Sequence, residues 1–454
     1  VTSPARSAVS RQDRPGEPDE PGDRRPLLER YDAVVFDLDG VLHRGDEPIA
    51  SAPDVLAEAR VRGVPVAFLT NNSARTPAQV AARMSGLGLP ATADRVVTSA
   101  LATAAMLERD GGAGTTAFVI GERGIRDALS AIGVRVVGGE PGAADLVVVG
   151  WDRSVDYAAL RTASLLVQRG ARLVATNADG SFPAADGLWP GAGAILAAIT
   201  TTTGAIPTIV GKPGAPMFDA AAALTGARRP LMVGDRIDTD IVGAARVGWD
   251  SLLVLSGATR AYDLPTAPAL PTYLAADVGA LVEPRTPARP RAATAEDAGA
   301  IAALLTAAGL PADGVIDRLG ETVVLPGDAA TAEQERRSAD AVIPAATATI
   351  VPLVDATYVR SVAVRADVRG QGLGLLATAA ALRLAGAASP AYLVTEDSDA
   401  FFARLGFVPC AADDVPTAVA AIVAEQGCGS RGTFMRREPS SRPAGHAEPA
   451  RPVG

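Results

Sequence analysis

The chain has 454 residues, 48% hydrophobic and 20% charged, with a formal net charge of −9. At about 100–200 residues per domain, that length implies two or three soluble globular domains. The acidic balance excludes sustained nucleic-acid binding, and two cysteines (Cys410, Cys428) with two histidines (His43, His446) exclude a disulfide framework or a thiolate or imidazole zinc site.

Residues 1–29 are rich in Pro, Gly, Arg and acidic residues and poor in large apolar ones. They read as a disordered tail and lack the charged-then-apolar order of a signal peptide. From residue 30, apolar runs alternate with amphipathic stretches. "DAVVF", "VPVAFLT", "TAFVIG", "DLVVVG", "RLVAT", "PTIVG", "PLMVG" and "SLLVL" read as strands, and "APDVLAEARVRG" and "TPAQVAARMSGLGL" as helices. In the second of these helices Thr76 caps the start and Pro77 fills the first turn. Repeated strand–helix units over 30–282 predict an α/β fold, a Rossmann-like doubly wound parallel sheet with its ligand site at the C-terminal strand ends. The longest uncharged run, Gly187 to Gly211, holds Pro190, Pro207 and four consecutive threonines. It reads as helix, turn and strand, so no membrane association and a cytoplasmic location are expected. "EPRTPARPR", residues 283–291, reads as a linker. Residues 292–438 form a second, mixed α/β region, and 439–454 a second disordered tail.

Polar residues follow four of the strands. "DAVVF" leads into Asp37 and Asp39, "VAFLT" into Thr70, Asn71 and Asn72, "PTIVG" into Lys212, and "LMVG" into Asp235, Asp238 and Asp240. Phosphoryl transfer uses this inventory. A carboxylate nucleophile takes the phosphoryl group, and a second carboxylate protonates the leaving alcohol. Mg²⁺ on hard oxygen ligands removes the repulsion between those carboxylates and a phosphate, and a lysine adds positive charge. A P-loop around Lys212 fails, because Gly204 lies too far from Gly211 and Pro213 stands where Ser or Thr is needed. His43 reads as a loop residue.

"DLDGVL", "LTNNS", "GKP" and "GDRIDTDI" resemble, in order, the four motifs of the haloacid dehalogenase (HAD) superfamily. The resemblance implies Asp37 as nucleophile and Asp39 as general acid/base. It implies phosphate binding by Thr70 and Asn71, with Asn72 beside them and Lys212 steadying nucleophile and phosphate. Asp37, Asp235 and the Asp39 backbone carbonyl would hold Mg²⁺, with Asp240 in support. Transport ATPases of the superfamily carry threonine at the Asp39 position, so an acid/base there favours hydrolysis. The roughly 140 residues between Thr70 and Lys212 leave room for an inserted α/β cap at about 104–203. That placement, with "TNNSARTP" and "ATNADGSFPAADGLWPGAGAI", is similar to the HAD IIA subfamily of small-metabolite phosphatases. Residues 177–193 are expected either to shape the pocket from the cap side or to form the hinge back to the core. The expected substrate is a small phosphorylated metabolite. Glycerol 3-phosphate leads, because a related actinobacterial architecture with this pairing of domains is linked to it. Homo-oligomerisation stays open.

"RSVAVRADVRGQGLG", followed by a helix and by "AYLVTEDSDAFFARLGF", resembles the GNAT acetyltransferases. The resemblance implies an acyl-CoA loop of Arg369, Gly370, Gln371, Gly372, Leu373 and Gly374, and acetyl-CoA as ligand of this domain. Phe402 stands where many family members have a tyrosine acid, which leaves Tyr392 or water to substitute. Residues 320–345 are irregular where a strand pair is expected. Arg291 and Arg360 either hold an acidic substrate or pair with surface carboxylates. Three readings of the whole follow: a phosphatase with a GNAT-like domain, a bifunctional enzyme that also performs N-acetylation, or a phosphatase regulated by an acyl-CoA sensor.

Overall fold

The computed structural model describes residues 25–184, 187–284, 289–326, 344–386, 389–425 and 432–439. The expected tails at 1–24 and 440–454, linker residues 285–288 and the irregular stretch 327–343 lie outside them. The chain divides into two compact units. The first holds Arg24–Thr259 and Pro271–Arg285, the second Arg260–Leu270 and Thr286–Gly454.

The first unit opens with α1 (Leu27–Arg30). Leu27 and Leu28 are fully buried, which corrects the reading of this stretch as tail. In chain order follow β1 (Ala33–Phe36), β2 (His43–Arg44), β3 (Glu47–Pro48), α2 (Ala52–Val61), β4 (Val66–Thr70), α3 (Pro77–Gly86), β5 (Val96–Thr98) and α4 (Ser99–Arg109). Next come β6 (Thr116–Ile120), α5 (Arg123–Ala131), β7 (Arg135–Val137), β8 (Leu146–Val149), α6 (Tyr157–Gln168) and β9 (Arg172–Ala175). A hairpin of β10 (Ser181–Ala184) and β11 (Gly187–Pro190), α7 (Ala192–Thr203) and β12 (Thr208–Ile209) come after them. The unit closes with α8 (Ala215–Thr225), β13 (Pro230–Gly234), α9 (Val242–Arg246), β14 (Asp250–Val254) and β15 (Tyr273–Ala275).

Apart from the antiparallel pairs β2–β3 and β10–β11, these strands make two all-parallel sheets. The core sheet runs β15-β14-β13-β1-β4-β5 and the second β12-β9-β8-β6-β7. All eight predicted strands form, but four of them, β6, β8, β9 and β12, build the second sheet. The "PTIVG" strand therefore belongs with the inserted sheet, since Thr208 and Ile209 pair with Val174 and Ala175. The insertion accordingly runs past its expected end near 203.

Alternation along β1 explains why both faces of the core sheet are covered. Val34 and Phe36 enter one apolar cluster with Phe68, Leu231 and Leu252. Val35 enters another with Ala67, Leu69, Met232 and Phe218. That second cluster continues into the inserted sheet through Ala117, Val119, Val148, Val174 and Val210. α3 is fixed by the expected cap. Thr76 Oγ1 accepts from the Gln79 N–H at 3.3 Å, and Gln79 Oε1 accepts from the Thr76 N–H at 2.9 Å. Such a box contributes about 1 kcal/mol.

The second unit contains β16 (Arg291–Ala292), α10 (Ala298–Ala307), β17 (Thr322–Leu325), β18 (Ala346–Pro352) and β19 (Thr357–Val364). They are followed by α11 (Leu373–Ala385), β20 (Ala391–Thr395), α12 (Asp399–Ala403), β21 (Val408–Pro409), α13 (Thr417–Glu425) and β22 (Thr433–Arg437). Its sheet runs β16-β17-β18-β19-β20-β22-β21. Every neighbouring pair is antiparallel except β19 and β20. Those two pair only at Thr357↔Ala391 and Tyr358↔Tyr392, so they part beyond Tyr358 and leave a wedge. A register shift opposite Thr347–Thr349 and the positive φ of Ser361 (54°) mark a bulge in β19 along that wedge. Among the described residues no helix is long and apolar enough to cross a membrane.

Candidate active site

β1, β4 and β13 are neighbours, with Phe36 level with both Phe68 and Val233. Their C-terminal ends therefore deliver Asp37, Thr70 and Asp235 to one edge of the sheet. The Asp37 N–H donates to Val233 O at 2.8 Å, which fixes its backbone to the neighbouring strand. Lys212 is buried (3% exposed) and its Nζ lies 2.7 Å from both Asp37 Oδ1 and Asp240 Oδ1. Burial opposes the ammonium charge, but Asp240 and Asp37 outweigh it and hold Lys212 above the ordinary lysine value.

Glycines make room for these carboxylates. A Cβ on Gly40 (φ +83°) would come within 2.4 Å of Asp235 Oδ2, and one on Gly234 within 2.2 Å of Asp240 Cβ. Ala258 N–H donates to Asp235 Oδ2 at 2.6 Å, and Arg236 N–H donates to Asp240 Oδ2 at 3.1 Å. Asp235 Oδ1 is buried with no hydrogen-bond partner among the described residues. Burial, then repulsion from Asp37 and Asp240, pushes Asp235 up to about 8. Burial also pushes Asp240 up to about 7, against the pull of Lys212.

Three crowded carboxylates, one with an orphaned oxygen, fit a hard divalent cation. Asp37, Asp235 and Asp240 each offer an oxygen within 4.8 Å of the others. Because both Asp240 oxygens are engaged, by Lys212 and by Arg236 N–H, Asp37 and Asp235 are the freer ligands. Asp39 sits at the rim with its side chain 49% exposed. The protein atoms crowding the cleft still push it up from the ordinary carboxyl value, with His43 opposing and Asp37 adding repulsion. That direction suits a group that must carry a proton to a leaving alkoxide.

The loop after β4 is shaped by its own side chains. Thr70 Oγ1 accepts from Asn72 N–H at 3.1 Å, and Asn72 Oδ1 accepts from Ala74 N–H at 2.9 Å. Asn71 was expected to face phosphate, yet its buried amide is already engaged. Its Oδ1 accepts from Lys212 N–H at 2.8 Å, and its Nδ2 donates to Lys212 O at 3.1 Å and to Asp179 Oδ2 at 3.1 Å. Asn71 thus ties the Lys212 loop, the loop after β4 and the inserted segment together. Asn177 Nδ2 donates to Asn71 O at 2.6 Å, so 177–179 of the anticipated cap-side segment reach the site. A second tie lies at Ser73, whose Oγ accepts from Thr176 Oγ1 at 3.0 Å and from Trp151 N–H at 3.3 Å.

Two residues at the site were missed in the sequence. Asp179 lies in the anticipated 177–193 segment but was not singled out as a site residue. His43, read as a loop residue, is instead buried in β2 with Nδ1 3.5 Å from Asp39 Oδ1. Only its place four residues after Asp39 could have pointed to it.

Gly370 and Gly372 both take positive φ (83° and 80°), and Gly372 caps α11. Gly374 lies under Phe401, where a Cβ would come within 3.1 Å of the ring, and Leu373 is buried. Arg369 Nε donates to Val364 O at 3.3 Å. Gln371 stands between the two positive-φ glycines. Phe402 is buried edge-to-face against Phe407. Tyr392 lies at the paired end of the wedge among Val351, Tyr358 and Val419. Arg291 is clamped bidentately on Asp297 at 2.7 Å, and Arg360 Nη2 donates to Asp313 O at 2.8 Å.

Family models match this chain over residues 34–135 (haloacid dehalogenase-like hydrolase) and 209–281 (HAD-hydrolase-like), the two segments carrying the site. The 5'-nucleotidase YutF of Bacillus subtilis is 39% identical over 238 residues, 51% of this chain and 90% of that protein. The chain belongs to the haloacid dehalogenase-like hydrolases. Another HAD relative, the D-glycerol 3-phosphate phosphatase of Mycobacterium tuberculosis, is 36% identical over 259 residues, 57% of this chain and 72% of that one. Among solved HAD structures, a glycerol phosphate phosphatase of M. tuberculosis in complex with magnesium matches with a TM-score of 0.65 at 27% identity. It covers 84% of this chain and 98% of that one.

Proposed function

We propose that this HAD protein is a Mg²⁺-dependent phosphomonoesterase working through an aspartyl phosphate, with glycerol 3-phosphate as its leading substrate. The observation that carries the reading is Lys212 Nζ, held 2.7 Å from both Asp37 and Asp240 beside the orphaned Asp235 oxygen. An Asp37 oxygen attacks phosphorus, the P–O bond to the alcohol breaks, and Asp39 gives its proton to the leaving alkoxide. Asp39 then takes a proton from water as the water oxygen attacks the acyl phosphate. Phosphate leaves and the Asp37 carboxylate returns. Mg²⁺, when bound, neutralises carboxylate and phosphoryl oxygens. Asp37, Asp235 and the Asp39 carbonyl are the residues proposed to hold it. Lys212 keeps Asp37 oriented through its 2.7 Å contact.

The substrate choice is supported by the mycobacterial relatives, whose names specify glycerol phosphate. The test is phosphate release with Mg²⁺ across glycerol 3-phosphate, phosphoglycolate, pyridoxal phosphate and a nucleotide, in wild type and Asp37→Asn. Activity that survives in Asp37→Asn would sink the mechanism. Preference for another ester would replace the substrate.

A second reading concerns the second unit. The wedge between β19 and β20, with a glycine loop opening α11, favours a GNAT-like domain that binds acyl-CoA. Titration with acetyl-CoA divides the outcomes. Thiol release in the presence of an amine means N-acetylation, binding without turnover means a sensor, and no binding removes the ligand.

A further inference from the structure

The catalytic edge presents a charge problem. Asp37, Asp39, Asp235 and Asp240 gather where a phosphate dianion must arrive, on a chain whose net charge is −9. The Lys212 ammonium is already committed to two of them. Arg236 is clamped on Asp238 at 2.7 Å. Around the rim, Arg83 pairs with Asp46 at 3.0 Å, and Arg153 pairs with Glu122 at 2.7 Å.

Arg75 differs. Among the described residues its side chain makes no hydrogen bond or ion pair, and the residue is exposed. Its position is nonetheless fixed. Gly124 N–H donates to Ala74 O at 2.9 Å, and a Cβ on Gly124 would come within 2.6 Å of Arg75 O, so the first turn of α5 packs on its backbone. It follows Ser73, which is tied to Thr176 and Trp151. Arg75 therefore stands at the seam between core and inserted sheet, in the loop after β4. It also lies near enough to Asp39, Glu122, Arg83 and Arg153 to share their fields. Although its side chain reaches solvent, the protein atoms around it and then Arg83 and Arg153 oppose its charge, while Asp39 and Glu122 favour it. A guanidinium held in that way, always charged, is stabilised by an arriving anion.

We propose that Arg75 captures phosphate-bearing substrates at the mouth of the cleft and draws them past the rim carboxylate to Lys212 and Asp37. This rests on the phosphatase reading above and adds to it a residue for substrate capture. The role is one of long-range charge, so it acts on every phosphate ester alike and is screened by salt.

The test compares full-length wild type, Arg75→Gln and Arg75→Lys. Phosphate release from p-nitrophenyl phosphate and glycerol 3-phosphate is followed from about 20 to 300 mM salt. Inorganic phosphate binding with Mg²⁺ is measured by calorimetry on the same proteins. In Arg75→Gln, kcat/KM is expected to fall about tenfold at low salt for both esters, through KM, with a flattened salt dependence. Phosphate affinity falls in step, and Arg75→Lys recovers most of both. Unchanged phosphate affinity and salt dependence in Arg75→Gln, or a loss confined to kcat, overturns the proposal. A wild type that binds phosphate through Arg75 but hydrolyses neither ester supports the capture role and overturns the phosphatase reading alone.

Discussion

Lys212→Met keeps most of the unbranched side chain, one atom shorter, and removes the charge. In the wild type the ammonium makes two contacts of 2.7 Å, to Asp37 and Asp240, with the lysine and Asp240 both buried. Breaking a buried ion pair by removing one partner costs about 3–5 kcal/mol, because the carboxylates stay buried without it. For a unit of this size each kcal/mol moves the melting temperature by about 2–4 °C, so a drop of roughly 10 °C is expected at pH 8. The sign of the pH dependence separates this cause from lost packing. Lys212 has its folded pKa raised above the ordinary 10.5, so its stabilisation is fully present from pH 5 to 8 and is lost only at higher pH. In the variant, Asp240 is buried without its counter-charge, so its protonation at lower pH relieves the cost. The deficit should therefore shrink between pH 8 and pH 5. Thermal melts of both proteins, with chelator present, read it directly. An equal deficit at both pH values would mean that the lysine matters through packing, and the electrostatic account of the site would be wrong.

Two further outcomes follow from the same geometry. The folded pKa of Asp235, about 8, lies above its ordinary 3.8, so in the metal-free protein its protonated form stabilises the fold fully below pH 4 and less as pH rises through 8. Mg²⁺ competes with that proton, so the rise in melting temperature on adding Mg²⁺ should grow from pH 6 to pH 9, and a flat profile would remove Asp235 as a ligand. Asn71→Ala strands the buried N–H and C=O of Lys212 and should cost about 1–3 kcal/mol. It should lower kcat more than it raises KM, whereas a pure KM effect would return Asn71 to direct phosphate binding.

The parts of the site that were legible in the sequence are those fixed locally. Asp37, Thr70 and Asp235 each follow a short apolar strand, and a strand's end is read from a handful of residues. What stayed hidden depends on pairing across the chain. β5 and β15 are too short (Val96–Thr98 and Tyr273–Ala275) to stand out as strands. Nothing in "PTIVG" says which sheet it joins, because the choice is made by Val174 and Ala175, distant in sequence. The double engagement of Asn71 and the burial of His43 are likewise set by partners that no local pattern names. Leu27 and Leu28 were hidden for the opposite reason, as two apolar residues at the end of a polar, proline-rich stretch.

The apolar cluster that runs from Val35, Leu69 and Met232 into Val119, Val148 and Val174 bears on how material enters and leaves. Swinging the inserted sheet away as a free lid would expose that cluster to water, at about 25 cal/mol for each Å² uncovered. The roof over Asp37 is thus welded to its walls, with Ser73 and Asn71 as polar rivets beside the weld. The inserted sheet is thereby expected to move with the core rather than away from it.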